Sequence, residues 1–191
     1  MNSKPNTSKS DNAKKMMLWF GIVSLIMTFA GWTSAYIVSS SREDWMDDFE
    51  LPSAFWFSTV VIVLSSFTYW MGSRSVRASK TSAASTWLLI TFLLGCIFIY
   101  SQFRGYAQMI EYGYYFTGPT SNITLSYVFL ISAVHILHVI AGIISLLIVL
   151  VQQLRGKYSS DNMLGVDLGL TFWNFVDILW IYLVLFFYLY R

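Results

Sequence analysis

Charge is scarce in this 191-residue sequence: Asp, Glu, Lys and Arg make up 12% of it, against about 25% in an ordinary soluble domain. Water is thereby excluded as the solvent for most of its surface. Cysteine is nearly missing too. The single Cys96 rules out an intramolecular disulfide and a two-cysteine copper site, and says nothing of the redox compartment. It sits among Leu, Gly and Ile, where a thiol is expected to be buried and inert. Prolines occur only at 5, 52 and 119, so no apolar run is broken by one at mid-membrane. A Gly-x-Ser-x-Gly motif, a Gly-rich phosphate loop and an internal repeat are all lacking. The first two absences argue against nucleophilic and phosphate chemistry, and the third against an inverted-repeat transporter. No nucleic-acid partner is expected.

What remains is apolar: 56% of the residues are hydrophobic. Five stretches reach the ~20 residues needed to cross a bilayer: 16–39, 51–73, 81–103, 123–151 and 168–190. The first four hold no charged residue, and the fifth holds one, Asp177. In lipid the backbone must satisfy its own hydrogen bonds, so each stretch is expected to be a helix. The expected fold class is all-α, a polytopic bundle of five transmembrane helices. The first helix starts beside Lys14 and Lys15 and contains Thr33-Ser34-Ala35, as a signal peptide might. Its apolar run continues to Val38, beyond the usual 7–15-residue signal core, so it is expected to be retained. Residues 1–15, polar with four lysines, are expected to form a disordered cytoplasmic tail, leaving 16–191 as the membrane domain.

The basic residues are unevenly placed. Lys4, Lys9, Lys14, Lys15, Arg74, Arg77, Lys80, Arg155 and Lys157 fall on one side, and Arg42, Arg104 and Arg191 on the other. The positive-inside rule then puts the N-terminus in the cytoplasm and the C-terminus outside. The outer segment 40–50 carries Glu43, Asp44, Asp47, Asp48 and Glu50, read as a solvated face that could also attract a basic partner. The second outer segment, 105–122, holds Tyr106, Tyr112, Tyr114 and Tyr115, read as an interfacial aromatic belt.

Ionisable groups in a membrane need a reason. Here they are His135, His138 and Asp177, with polar Asn174. The two histidines are three apart on one helix and project from one side, so they cannot clamp a haem from both faces. With Asp177 they make three zinc ligands without a motif. No metal is expected, and interhelical polar glue is the preferred reading. Gly142 and Ser145 extend the histidine face, and Ser65 and Ser66 offer a similar small-residue contact on the second helix. Helices four and five follow each other across a short connection and are expected to be antiparallel neighbours. Asp177 is therefore expected to bond His138 in preference to His135.

Helices four and five also carry a resemblance. His135-Ile-Leu-His138-Val-Ile-Ala-Gly142 resembles the His-Gly-x-His-Val-x-x-Gly stretch of subunit III of haem–copper terminal oxidases. Phe172-Trp173-Asn174-Phe175-Val176-Asp177-Ile178-Leu179-Trp180 is similar to that family's Tyr/Phe-Trp-His-Phe-Val/Leu-Asp-Val-Val-Trp. Leu51-Pro52 and Leu64-Ser65-Ser66-Phe67-Thr68-Tyr69 match its helix-opening and helix-closing signals. The resemblance covers nearly everything after the tail, in the short five-helix bacterial form. The sequence departs at Ser24-Leu25, where relatives place an acid, at Asn174, where they place histidine, and at Arg104 after Gln102, where an acid is common.

The resemblance implies a non-catalytic accessory subunit in a bacterial inner membrane, with no redox centre of its own. It implies haem and copper in partner subunits, catalytic subunit I and also subunit II, in an aerobic oxidase that could join a larger respiratory supercomplex. It further implies phospholipid in a cleft between helix groups, and a role supporting stability and proton uptake. Leu25, Arg104, Gly142, Trp173 and Trp180 are the expected lipid or helix contacts. The alternative from another class is a small transporter or proton-conducting protein using Asp177 and the histidines. The charge asymmetry yields a direct test. A cysteine placed at Ser41 will react with an impermeant thiol reagent on whole cells and one placed at Ser8 will not; the opposite pattern reverses the topology.

Overall fold

A computed structural model describes residues 4–46, 49–118, 122–158 and 162–190, with side chains from Lys9 onward. Asp47 and Asp48 of the acidic segment, Pro119 and Arg191 lie outside the described residues. Five helices make up the fold: α1 Lys4–Ser39, α2 Ser53–Arg77, α3 Thr81–Glu111, α4 Ile123–Leu154 and α5 Leu164–Leu189. All five are long and apolar enough to cross a membrane, and no strand occurs among the described residues.

The helices outrun the apolar stretches at several ends. α1 begins at Lys4, inside the segment expected to lack structure. Once a span has nucleated a helix, each added turn costs little, and lysine and alanine favour it. α3 continues past the expected end at 103 to Glu111. Its extra turns are held from two sides: Tyr106 donates to Ser132 Oγ of α4 at 3.0 Å, and Gln108 Oε1 accepts from the Ala54 amide of α2 at 3.2 Å. Tyr106 is thus tied into the bundle instead of the interfacial belt.

α2, α3, α4 and α5 close a four-helix bundle in which each packs on the next and α5 returns to α2; α1 leans on the α4–α5 edge. Two indoles of α5 fill the centre, and both are buried. The Trp180 ring meets Phe55 of α2 at 5.4 Å, Phe98 of α3 at 5.5 Å and His135 of α4 at 5.1 Å, the last stacked. Trp173 fits where two facing glycines leave room. A Cβ on Gly95 of α3 would lie 2.9 Å from its ring, and one on Gly142 of α4 3.2 Å. Gly142 therefore serves the indole and not a histidine contact. Trp173 and Trp180 are helix contacts only, with no lipid-facing surface.

Polar ties fix both ends. On the side of the α1–α2 connection, Asn122 caps α4 by accepting from the Thr124 amide at 2.8 Å, which satisfies one of the helix's free N–H groups. The same side chain donates to the Asp44 carbonyl at 3.0 Å, and Thr124 Oγ1 accepts from the Met46 amide at 2.9 Å, latching the connection to α4. Arg42 donates to both carboxylate oxygens of Asp44 at 2.8 and 3.1 Å, and this hydrogen bonding holds Asp44 below its ordinary carboxylate range. At the far end Arg77 of α2 pairs with Asp167 of α5 at 2.9 Å. A cation at a helix C-terminus and an anion at an N-terminus also suit both helix dipoles.

Among the described residues, the side-chain hydrogen bonds from α1 to α4 and α5 lie in its C-terminal part, and Phe29 packs on His135 and His138 nearer its middle. Thr33 meets the Tyr182 hydroxyl at 3.1 Å, Tyr36 OH donates to the Tyr190 carbonyl at 3.2 Å, and Ser39 meets the Tyr127 hydroxyl at 3.1 Å. Toward the N-terminus of α1 a cleft of about 780 Å³ lies between it and α4 and α5, with Asp11, Lys14 and Leu18 on one wall and Ile144, Ile148 and Phe172 on the other.

The glycine seats predict a contrast. Gly95→Val will lower the thermal midpoint of the detergent-solubilised chain by the equivalent of ~1–3 kcal/mol, as overpacking does. Gly31→Val, where a Cβ meets open space, will leave it nearly unchanged.

Candidate functional site

The site grows from one carboxyl group. Asp177 lies ~20 Å along α5 from Leu164 and ~18 Å from Leu189 at 1.5 Å per residue, close to the middle of that helix. It is 2% exposed. Its Oδ2 accepts a close hydrogen bond from Ser66 Oγ, with Ser65 Oγ at 3.5 Å. Ser65 has one proton, and the Ile62 carbonyl at 2.8 Å is the nearer acceptor for it; its oxygen meanwhile accepts from Trp173 Nε1 at 3.0 Å. Ser66 is therefore the firm donor to Asp177. Asp177 Oδ1 and Asn174 Oδ1 are buried and take no hydrogen bond within the described residues. Both residues line a groove of about 470 Å³ on the outer side of α2 and α5, with Val63, Phe67, Trp70 and Ile178.

The expected pairing of Asp177 with His138 or His135 is not what forms. Asp177 and Trp180 are three residues apart, so their directions differ by ~60° around α5. Trp180 points to the centre, where α4 supplies His135, and Asp177 is turned onward to α2. His135 is fully buried between aromatic rings, stacked on Trp180 with the edges of Phe29 at 6.4 Å and Phe98 at 6.2 Å. Neither ring nitrogen has a partner within the described residues. His138 turns toward α1, 5.8 Å from the Phe29 ring. A carbonyl can only accept, so its Nδ1–H donates to Val134 O of its own helix at 2.8 Å. The histidines are thus ring-packing groups and not polar glue between helices. Among the described residues no three His, Cys, Asp or Glu side chains converge.

Other expected contacts sort by position. Leu25 is half-buried, one turn before Phe29 on the α1 face that meets the histidines. Arg104 is exposed beside Ser53, Phe57 and Tyr100 in a separate groove of about 540 Å³ between α2 and α3. Cys96 is exposed on the bundle's outer face, against the expectation of burial: α3 turns Gly95 and Phe98 inward and Cys96 away.

Sequence reasoning missed the polar seam between α2 and α3. Gln102 Nε2 donates to Ser58 Oγ at 2.8 Å, and Thr68 meets Thr91 at 2.9 Å. Ser58 and Ser65, seven apart, share one helix face, and that spacing was the available signal. The geometry separates Asp177 from the histidines expected to bond it. His135→Phe will change stability by less than ~1.5 kcal/mol, because it exchanges rings of similar bulk with no hydrogen bond lost. Ser66→Ala will cost ~1–3 kcal/mol, because it strips the buried carboxyl of its donor. Thermal unfolding in detergent reads both.

Residues 18–191 match the protein family described as cytochrome c oxidase subunit III. The chain is 32% identical over 168 residues to the cytochrome bo(3) ubiquinol oxidase subunit 3 of Pseudomonas aeruginosa, covering 85% of this chain and 78% of that protein. It is 31% identical over 133 residues to the cytochrome c oxidase subunit 3 of Synechocystis, 69% of this chain and 54% of that one. Against the cytochrome c oxidase subunit 3 of Thermostichus vulcanus it is 26% identical over 166 residues, 85% and 80% of the two chains. The match takes in all of α2 to α5, including the indoles, the glycine seats and the Asp177 cluster, and α1 from Leu18 onward: this multi-pass membrane chain belongs to the cytochrome c oxidase subunit III family.

Proposed function

We propose that the chain is the accessory third subunit of an aerobic haem–copper oxidase in a bacterial inner membrane, seated beside catalytic subunit I and near subunit II. The observation that carries this reading is the family match over residues 18–191. The placement of polar groups supports it: Asp177, His135 and His138 face α2, the bundle centre and α1 respectively, so they form no joined relay such as a proton conductor would use. Haem and copper then reside in the partner subunits, and this chain acts by packing.

Its N-terminus is cytoplasmic by the basic asymmetry. The α1 cleft, apolar along Leu18, Ile148 and Phe172 and carrying Lys14 with Asp11 on its α1 wall, suits a phospholipid with its phosphate toward the lysine. A lipid held there would steady the N-terminal part of α1 against α4 and α5, and by steadying the bundle would support the catalytic subunit's durability and proton uptake.

Affinity purification of the tagged chain from aerobically grown cells tests the assignment. The eluate will contain a haem–copper catalytic subunit and consume oxygen with an added electron donor. A chain recovered without haem under mild detergent contradicts it. Lys14→Glu will lower the anionic phospholipid retained per chain, read by mass spectrometry of the extracted lipids.

A further inference from the structure

The α2–α5 groove holds an unfinished polar site. Asp177 Oδ1 and Asn174 Oδ1 are both buried and both without a donor among the described residues, although Asp177 Oδ2 is served by Ser66. In hydrocarbon such acceptors are costly to leave unmatched. Acyl chains have no donor to offer. Headgroups do, but they lie ~15 Å from the midplane of a ~30 Å hydrocarbon core, whereas Asp177 sits near the middle of its helix. A side chain of a neighbouring helix can bring a donor to that depth.

The shape of the surface fits one carrier. The groove runs from Ile181 through Asp177 to Trp70, and a second hollow of about 280 Å³ continues it past Trp70 to Leu170 and Arg77. From Leu170 to Ile181 that is ~16 Å along α5, about three turns of a helix laid beside it. Its walls are apolar and open: Phe67 is 55% exposed, Trp70 47% and Ile178 66%.

We propose that this groove seats a transmembrane helix of the partner oxidase subunit, and that a side-chain N–H or O–H on that helix donates to Asp177 Oδ1 and the neighbouring Asn174 oxygen. The inference rests on the accessory-subunit reading and adds to it which face docks and which atoms are completed. Ser66 holds the carboxyl from inside, and its other oxygen, buried behind the exposed side chains of Phe67, Trp70 and Ile178, is reached as those side chains move aside for the partner. A hydrogen bond made only on assembly would make docking specific in depth and register, which apolar contact in lipid does not supply.

The test uses the intact complex in native membranes. A photoreactive amino acid replaces Phe67 or Ile178, and the adducts are identified by mass spectrometry. Adducts to a polypeptide of the oxidase at both positions are expected. Adducts to lipid alone, to a second copy of this chain, or to nothing overturn the assignment. In parallel, Ile178→Trp fills the groove from an exposed position and will leave the thermal midpoint of the isolated chain unchanged. The amount of chain retained per haem after a detergent wash will fall about tenfold, the scale of one lost buried hydrogen bond. Retention at the unsubstituted level contradicts the proposal. If the unsubstituted chain carries no haem-containing partner, the accessory-subunit reading falls and the groove assignment with it. If the partner is present and only the groove results fail, the docking face alone is wrong.

Discussion

The lodging of Trp173 and Trp180 at the centre of the bundle fixes the rotation of α5, and most of the remaining geometry follows from that rotation. A membrane bundle gains no hydrophobic driving force from helix contact, since lipid tails are as apolar as leucine. Close packing has to come from shape. Gly95 and Gly142 supply the hollow for one indole, and Phe55, Phe98 and His135 surround the other. With both rings directed inward, Asp177 turns toward α2, Asn174 reaches the groove beside it, and Ile178 faces outward. The carboxyl thereby has one oxygen served by Ser66 and one buried beside the groove without a partner among the described residues.

That division suits a protein whose work is to hold a neighbour. The polar groups that a transporter would string together are separated here by aromatic rings. His135 is sealed between Trp180, Phe29 and Phe98, and His138 is tied to its own helix. Two of the grooves on the bundle bear on this. One is the α1 cleft, which lies between α1 and α4 and α5; the other is the α2–α5 groove with its unmatched acceptors. The lipid proposed for the first and the partner helix proposed for the second would lie on different edges of α5, with the packed centre between them.

Much of this was legible in the sequence. Scarcity of charge and the five apolar runs gave the helices, because hydrocarbon leaves the backbone no other choice. The helix-five stretch around Phe172–Trp180 gave the family. Helix ends were less legible: α3 runs on to Glu111 because Tyr106 and Gln108 are bonded to neighbouring helices, and such long-range partners leave no mark on local hydropathy. The partner of Asp177 was misjudged for a related reason. Axial spacing placed it near His138, but the deciding variable was rotation about the helix axis, which is set by where two large rings find room. The adjacent hydroxyls of Ser65 and Ser66 were visible in the sequence; that they face a carboxyl was not, because helix two is separated from helix five by most of the chain.

The central claim is that Asp177 is energetically coupled to α2 and not to α4. A pair of double-mutant cycles on the detergent-solubilised chain measures this directly, with thermal or denaturant unfolding as the readout. The account predicts a coupling of ~0.5–3 kcal/mol between Ser66→Ala and Asp177→Asn, as for groups in one hydrogen bond, and none beyond ~0.5 kcal/mol between His138→Ala and Asp177→Asn. Coupling to His138 with additivity at Ser66 would contradict it.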